Sequence, residues 1–233
     1  MYNFLASRRE GDLLILPEEE VKHLKVRRIR REEPIGVIWE GKLYRCTIKD
    51  LSQKEARCSI DEVVPVPEPE IDITLYQAVP VEIGVFDFIV QKATEVGVEK
   101  LVPVITERSF RKNEVILKKI PRWERIVRES MKQSGRPKPL LIEEPKELTS
   151  LKADRDMNIL LDNFQEGTFL REIELKGIKS ACIVVGPEGG FSRSEVALLK
   201  DAGFKSVRLK PYTMRTETAA VVCSSFLINF AGP

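Results

Sequence analysis

Two short segments carry residue types that could do chemistry. Residues 181–195 read ACIVVGPEGGFSRSE. An apolar run ends at Val185, and a Gly/Pro loop follows, made of Gly186, Pro187, Glu188, Gly189 and Gly190. Ser192 and Glu195 then form the Ser-x-x-Glu pattern that opens a helix. Glycines let backbone approach a ligand closely, and a helix start offers unpaired N–H groups. In an open α/β sheet, ligands bind where strands end and such loops begin. The same residues would also make a plain tight turn. The loop has neither the G-x-x-x-x-G-K-[ST] phosphate cradle nor G-x-G-x-x-G. Pro187 removes a donor and Glu188 would repel phosphate, so the loop suits a neutral or cationic ligand.

The second segment is residues 209–220, LKPYTMRTETAA. A strand ends, a short loop turns, and an apolar helix begins. Thr216 suits an N-cap and Glu217 the positive end of the helix dipole. Arg215 does not fit that explanation, because a cation is disfavoured there. It is therefore assigned a role with a substrate. Two further features are weaker. His23 is the single histidine and reads as a structural residue or phosphate contact. Asp162-Asn163-Phe164 follows a strand, where a ligand edge or an ordinary turn would both fit.

Charge is unevenly placed. Residues 22–31 hold six basic residues and no acid: Lys22, Lys25, Arg27, Arg28, Arg30 and Arg31. Residues 108–138 hold eleven Lys or Arg against three Glu, yet the whole chain carries only +2. Two basic patches favour a phosphate-bearing partner, although each alone would also suit a solvated helix face. Aromatic residues make up only 7% of the chain, so no stacking platform for single strands is evident in the patches.

These segments need elements to hold them. The clearest boundary is residues 63–72, VVPVPEPEID, where alternating prolines fix φ and remove donors. Before it, strands are expected at 13–16, 35–39, 43–49 and 56–64, with one helix near 18–24. That predicts a small β barrel or sheet. After it, strands are expected at 73–79, 101–105, 158–161, 181–185 and 206–209. Helices are expected at 85–96, 115–131, 192–202 and 217–230. Alternating strands and helices predict an α/β fold with a mostly parallel sheet covered on both faces. The expected division is 1–67, a linker at 68–72, and 73–233.

Composition narrows the class. With 233 residues, 42% hydrophobic and 32% charged, the chain can build a real core, which excludes a disordered linker. Four isolated cysteines and one histidine argue against a zinc site and read as reduced core thiols. No metal is expected. The first residues lack the basic-then-apolar order of a signal peptide, and no apolar run approaches ~18 residues. The expectation is a cytoplasmic chain with no membrane partner.

In order along the chain, the motifs resemble the 16S ribosomal RNA uridine N3-methyltransferases of the SPOUT, or α/β-knot, superfamily. The matching segments are His23-Leu24-x-Val26-x-Arg28, QKATEVGV at 91–98, Pro103 with TERS at 106–109, ESMKQSGRP at 129–137, GPEGGFS at 186–192 and RTETA at 215–219. The sequence departs from the family pattern at 81–85, at Arg27, and at 211–214, which reads PYTM.

The resemblance implies a PUA-like RNA-binding β domain and a trefoil-knotted methyltransferase domain. It implies a homodimer with the site at its interface, and S-adenosylmethionine as methyl donor. It assigns the donor to Leu161, Val185, Gly186, Pro187, Glu188, Gly189, Gly190, Leu209, Met214, Arg215, Thr216, Thr218 and Ala219. Arg215 and Glu217 are the implied catalytic residues, with Glu217 a candidate base. Ribosomal RNA would be held by His23, Lys25, Arg27, Arg28, Arg30, Arg108, Arg111, Lys112 and Arg136. The competing readings are methylation of a ribose 2′-hydroxyl or a tRNA base, a non-catalytic RNA-binding relative, and a small-molecule nucleotide enzyme.

Overall fold

A computed structural model describes residues 1–162 and 167–231. The chain forms two units, Met1–Pro67 with Arg128–Pro139, and Glu68–Val127 with Leu140–Pro233.

In the first unit, β1 (Asn3–Leu5), β2 (Arg8–Glu10) and β3 (Leu13–Pro17) lead into α1 (Glu18–Val26). Then come β4 (Ile35–Trp39), β5 (Lys42–Leu51) and β6 (Glu55–Val64). Helix α1 starts after Pro17, with Glu18, Glu19 and Glu20 in its first turn, where the dipole favours acids. Glu40 and Gly41 both take positive φ (44° and 72°), the hairpin turn that joins β4 to β5. The sheet order is β1-β4-β5-β6-β3-β2. Its pairings are antiparallel except β1 with β4. The ladder runs from an edge at β1 to an edge at β2, so among the described residues it is an open six-stranded sheet rather than a hydrogen-bonded closed barrel. One core lies beneath it, with Phe4, Leu14, Leu16, Val21, Leu24, Val37, Cys46 and Cys58 all buried.

In the second unit, β7 (Asp72–Ala78), α2 (Val85–Val96), β8 (Lys100–Ile105) and α3 (Asn113–Ser134) come first. The short β9 (Leu141–Ile142) and β10 (Lys146–Glu147), then β11 (Met157–Leu161) and β12 (Thr168–Phe169), follow. The chain ends with β13 (Ser180–Val185), α4 (Arg193–Asp201), β14 (Lys205–Arg208) and α5 (Thr216–Phe230). The last residues of α3 belong to the first unit. All sheet pairings here are parallel, in the order β10-β8-β7-β13-β11-β14-β12, with β9 beside β8. Strand β13 is apolar throughout its buried length because both of its faces are covered. Register aligns the strand ends that matter: Val185 pairs Gln77 and Leu161, and Leu161 pairs Val207.

Strand β14 lies beyond β11, and α5 then returns to pack on β13, β7 and α2. Gly97 stops α2 in the left-handed region (φ 101°). Helix α3 seats the buried Trp123 ring 4.3 Å from Phe86, and its indole N–H donates to Asp87 Oδ1 at 3.0 Å. All four cysteines are buried and unpaired, and burial pushes each thiol up to about 12. They are inert core residues at neutral pH. Among the described residues no helix is long and apolar enough to cross a membrane.

Candidate active site

Because the registers align the carboxyl ends of β11, β13 and β14, the loops that leave them enclose one cavity of about 670 Å³. Leu161 closes β11 and Val185 closes β13. Residues 186–191 form one wall, and Leu209 with residues 213–217 and Ala219 another. Every residue that the resemblance assigns to the donor lines this cavity except Thr218. Thr218 is exposed because it sits two positions, about 200° of helix rotation, past the inward-facing Thr216.

Local chemistry fixes the first wall. A Cβ on Gly186 would lie 3.1 Å from the Phe191 ring, a tight contact that would push the ring back by a few tenths of an ångström. Gly190 takes φ 65°, and its N–H donates to the Pro187 carbonyl at 2.9 Å. Ser192 and Glu195 form the expected reciprocal cap, with the Ser192 N–H donating to Glu195 Oε2 at 2.8 Å. Glu195 Oε1 also accepts from the Glu107 N–H at 2.7 Å. The cap therefore consumes N–H groups that the sequence suggested were open to a ligand. Two further ties hold the loop: Arg108 Nη1 donates to the Gly189 carbonyl (2.9 Å), and the Val81 N–H donates to Glu188 Oε2 (3.0 Å).

The second wall corrects one expectation. Thr216 does not cap α5; Arg215 holds the N-cap position with φ −62° and ψ 155°. The Thr216 hydroxyl is buried, accepts from Gln77 Nε2 at 2.9 Å, and donates to the Gly186 carbonyl. Gln77 is fully buried and also donates to the Ala78 carbonyl at 2.9 Å. This one hydroxyl thus joins β7, the 186–190 loop and the start of α5. A tertiary pair has won over the local cap. Gln77 was missed in the sequence, where its signal was a lone amide inside an apolar strand. Thr216→Val should destabilise the protein by about 1–3 kcal/mol in urea titration, because it strands a buried amide and carbonyl. Thr216→Ser should stay near the parent.

Electrostatics suit a cation. Glu82, Asp162, Glu188 and Glu217 line the cavity against two cations, Arg108 and Arg215. Glu82 was not foreseen. Asp162 is buried and accepts from the Ser206 hydroxyl. Asn163 and Phe164 lie outside the described residues. Arg215 is exposed, and among the described residues no acid pairs with it or with Lys210 beyond it. Glu217, half-buried in the first turn of α5, lines the cavity beside it.

A family model described as an RNA methyltransferase domain matches residues 67–228. Over 230 residues the chain is 50% identical to the ribosomal RNA small subunit methyltransferase E of Aquifex aeolicus (strain VF5), covering 99% of this chain and 100% of that one. The chain belongs to the ribosomal RNA small subunit methyltransferase E family. Its fold is similar to that of the Neisseria gonorrhoeae member bound to S-adenosyl methionine (TM-score 0.86, 26% identity, 99% of this chain and 98% of that one). A putative methyltransferase from Legionella pneumophila, in complex with the bound cofactor SAM, is equally similar (TM-score 0.85, 27% identity, 100% and 98%).

Within this family member, the basic residues divide between the units. Lys25, Arg27, Arg28 and Arg30 are exposed at the end of α1 and just after it. Arg27 stacks over the Tyr2 ring at 4.6 Å. His23 is half-buried, with Nδ1 3.1 Å from Lys132 Nζ. Arg136 donates from Nε to the Lys138 carbonyl at 2.6 Å. In the second unit Arg111 and Lys112 are exposed just before α3, whereas Arg108 is held in the cavity wall.

Proposed function

We propose that this chain transfers a methyl group from S-adenosylmethionine to N3 of a uridine in 16S ribosomal RNA. The observation that carries the reading is the cavity between the 186–190 loop and the start of α5, in a chain that shares half its residues with a small-subunit RNA methyltransferase. When bound, S-adenosylmethionine supplies an electrophilic methyl on a sulfonium. The residues present fit such a ligand. The glycine wall admits close backbone approach, the acidic lining favours a cation, and no phosphate cradle is needed.

The protein's own residues have a defined task. N3 of neutral uracil carries a proton, and that proton must leave for the methyl to bond there. Glu217 is the candidate acceptor. Arg215 is the candidate group to stabilise charge developing on the uracil. The base must be unpaired or swung out to expose N3. The exposed cations of both units would hold RNA phosphates, so affinity should fall steeply with salt. Such an enzyme acts where ribosomes are assembled, in the cytoplasm.

Three finer features belong to the same reading. The return of α5 from β14 across β13 to β7 supports a trefoil knot. The six-stranded first unit supports a PUA-like RNA-binding role. The partly exposed face of α5 with Val222, Phe226 and Phe230 supports a homodimer.

Calorimetric titration with S-adenosylmethionine tests the donor site. Saturable binding is expected, and Gly189→Trp should abolish it. Gly189 is exposed, and its added Cβ meets only Arg108 at 3.4 Å, so the variant should fold while filling the cavity. Mass spectrometry of unmodified small subunits after incubation should then find N3-methyluridine. A ribose 2′-methyl product would move the target to another position. A folded protein that binds no donor, with or without RNA, would be a non-catalytic relative.

A further inference from the structure

The loop that carries Leu209 and Met214 into the cavity wall also carries Tyr212, which is 80% exposed. A single exposed tyrosine is ordinary. Its surroundings are less so. Strand β12 pairs with β14, placing Phe169 beside Arg208. The Arg208 guanidinium lies 4.3 Å from the Phe169 ring centroid, and Lys210 Nζ lies 3.3 Å from it. Arg208 is further fixed by donating from Nε to the Gly167 carbonyl at 3.2 Å. Among the described residues no carboxylate pairs with Arg208, Lys210 or Arg215. From Arg208 at the end of β14 to Arg215 at the start of α5, three cations with no carboxylate partner among the described residues and one exposed ring therefore lie within eight residues that border the cavity.

That combination has a specific partner chemistry. Cations alone would suit any anion. A flat exposed ring that lies between them in sequence adds a surface for another flat ring, which single-stranded nucleic acid supplies at every base. Trp123 of the second basic patch is fully buried, whereas the Tyr212 ring stands open to solvent.

We propose that Tyr212, with Arg208 and Lys210, forms a ledge on which an unpaired nucleotide flanking the target base stacks while its phosphate meets the two cations. The proposal rests on the RNA methyltransferase reading and names how that site meets its substrate. The Phe169 ring holds both cations in place by cation–π attraction, which spares them a carboxylate that would compete with phosphate.

Fluorescence anisotropy on the full-length protein tests it with two probes, a labelled single-stranded oligouridylate and an abasic oligomer of the same backbone. Tyr212→Ala should weaken oligouridylate binding about tenfold and leave the abasic oligomer unchanged. Tyr212→Phe should bind as the parent does. Arg208→Gln with Lys210→Gln should weaken both probes and lower the salt slope by about two. The ledge is overturned if Tyr212→Ala binds oligouridylate like the parent, or if the parent does not bind it. It is also overturned if polyglutamate competes equally well on the parent and on Tyr212→Ala. Parallel titration with S-adenosylmethionine separates the two levels. Donor binding with no Tyr212 effect sinks the ledge alone. A Tyr212 effect without donor binding sinks the methyltransferase reading and keeps the ledge.

Discussion

An Arg215→Met enzyme is expected to fold and bind RNA but to methylate about 10²–10³-fold more slowly, equivalent to about 2.7–4 kcal/mol of transition-state stabilisation. The expectation follows from what Arg215 costs where it stands. It occupies the N-cap of α5, where the helix dipole opposes a cation. It is exposed, lines the cavity, and has no acid partner among the described residues. A residue kept for stability would not be placed so. Methionine retains the aliphatic stem, so packing losses should be small. Single-turnover rates on small subunits give the measure. Arg215→Lys should recover part of the rate if charge alone matters and little if the planar fork is needed. The pH profile separates roles further. If Arg215 eases formation of the uracil anion, the deficit should narrow at alkaline pH, where the free base ionises without help. A deficit constant across pH would instead make Arg215 a binding or positioning residue. Glu217→Gln should show the same narrowing if Glu217 takes the proton.

The parts of this site that are local in the sequence were legible there. The Ser192–Glu195 cap spans four residues, and the Gly186–Gly190 turn is continuous with the strand before it. Helix α2 and its stop at Gly97 follow from spacing and one glycine. What escaped reading depends on distance. Gln77 and Thr216 are 139 positions apart, so nothing near Thr216 showed that its hydroxyl would leave the cap for a buried amide. The strands β9, β10 and β12 have two residues each and carry no periodicity. The Arg208–Phe169–Lys210 cluster needs β12 to lie beside β14, which only the sheet order reveals.

Lys132 shows how far such a distant pair can matter. Its Nζ lies 2.9 Å from Glu20 Oε1, 2.8 Å from Glu129 Oε1 and 3.1 Å from His23 Nδ1. The side chains of Lys132 and Glu20 are only 9% and 5% exposed. The Asn3 amide also donates to the Lys132 carbonyl at 2.9 Å. These contacts hold Arg128–Pro139 to the N-terminal sheet within the first unit, across more than a hundred residues of intervening chain. Lys132→Met should therefore cost about 3–5 kcal/mol, because Glu20 stays buried without its counter-charge. Hydrogen exchange at β5 and β6 should accelerate accordingly, since those strands share the core under the same unit. Adding Glu20→Gln to Lys132→Met removes the stranded charge and should recover much of the loss. A loss below about 1 kcal/mol in the single variant would put the pair in the class of solvent-screened surface bridges. The recovery in the double variant is the sharper readout. A structural role carried by methylene packing alone would give no recovery, whereas a role carried by charge compensation requires it.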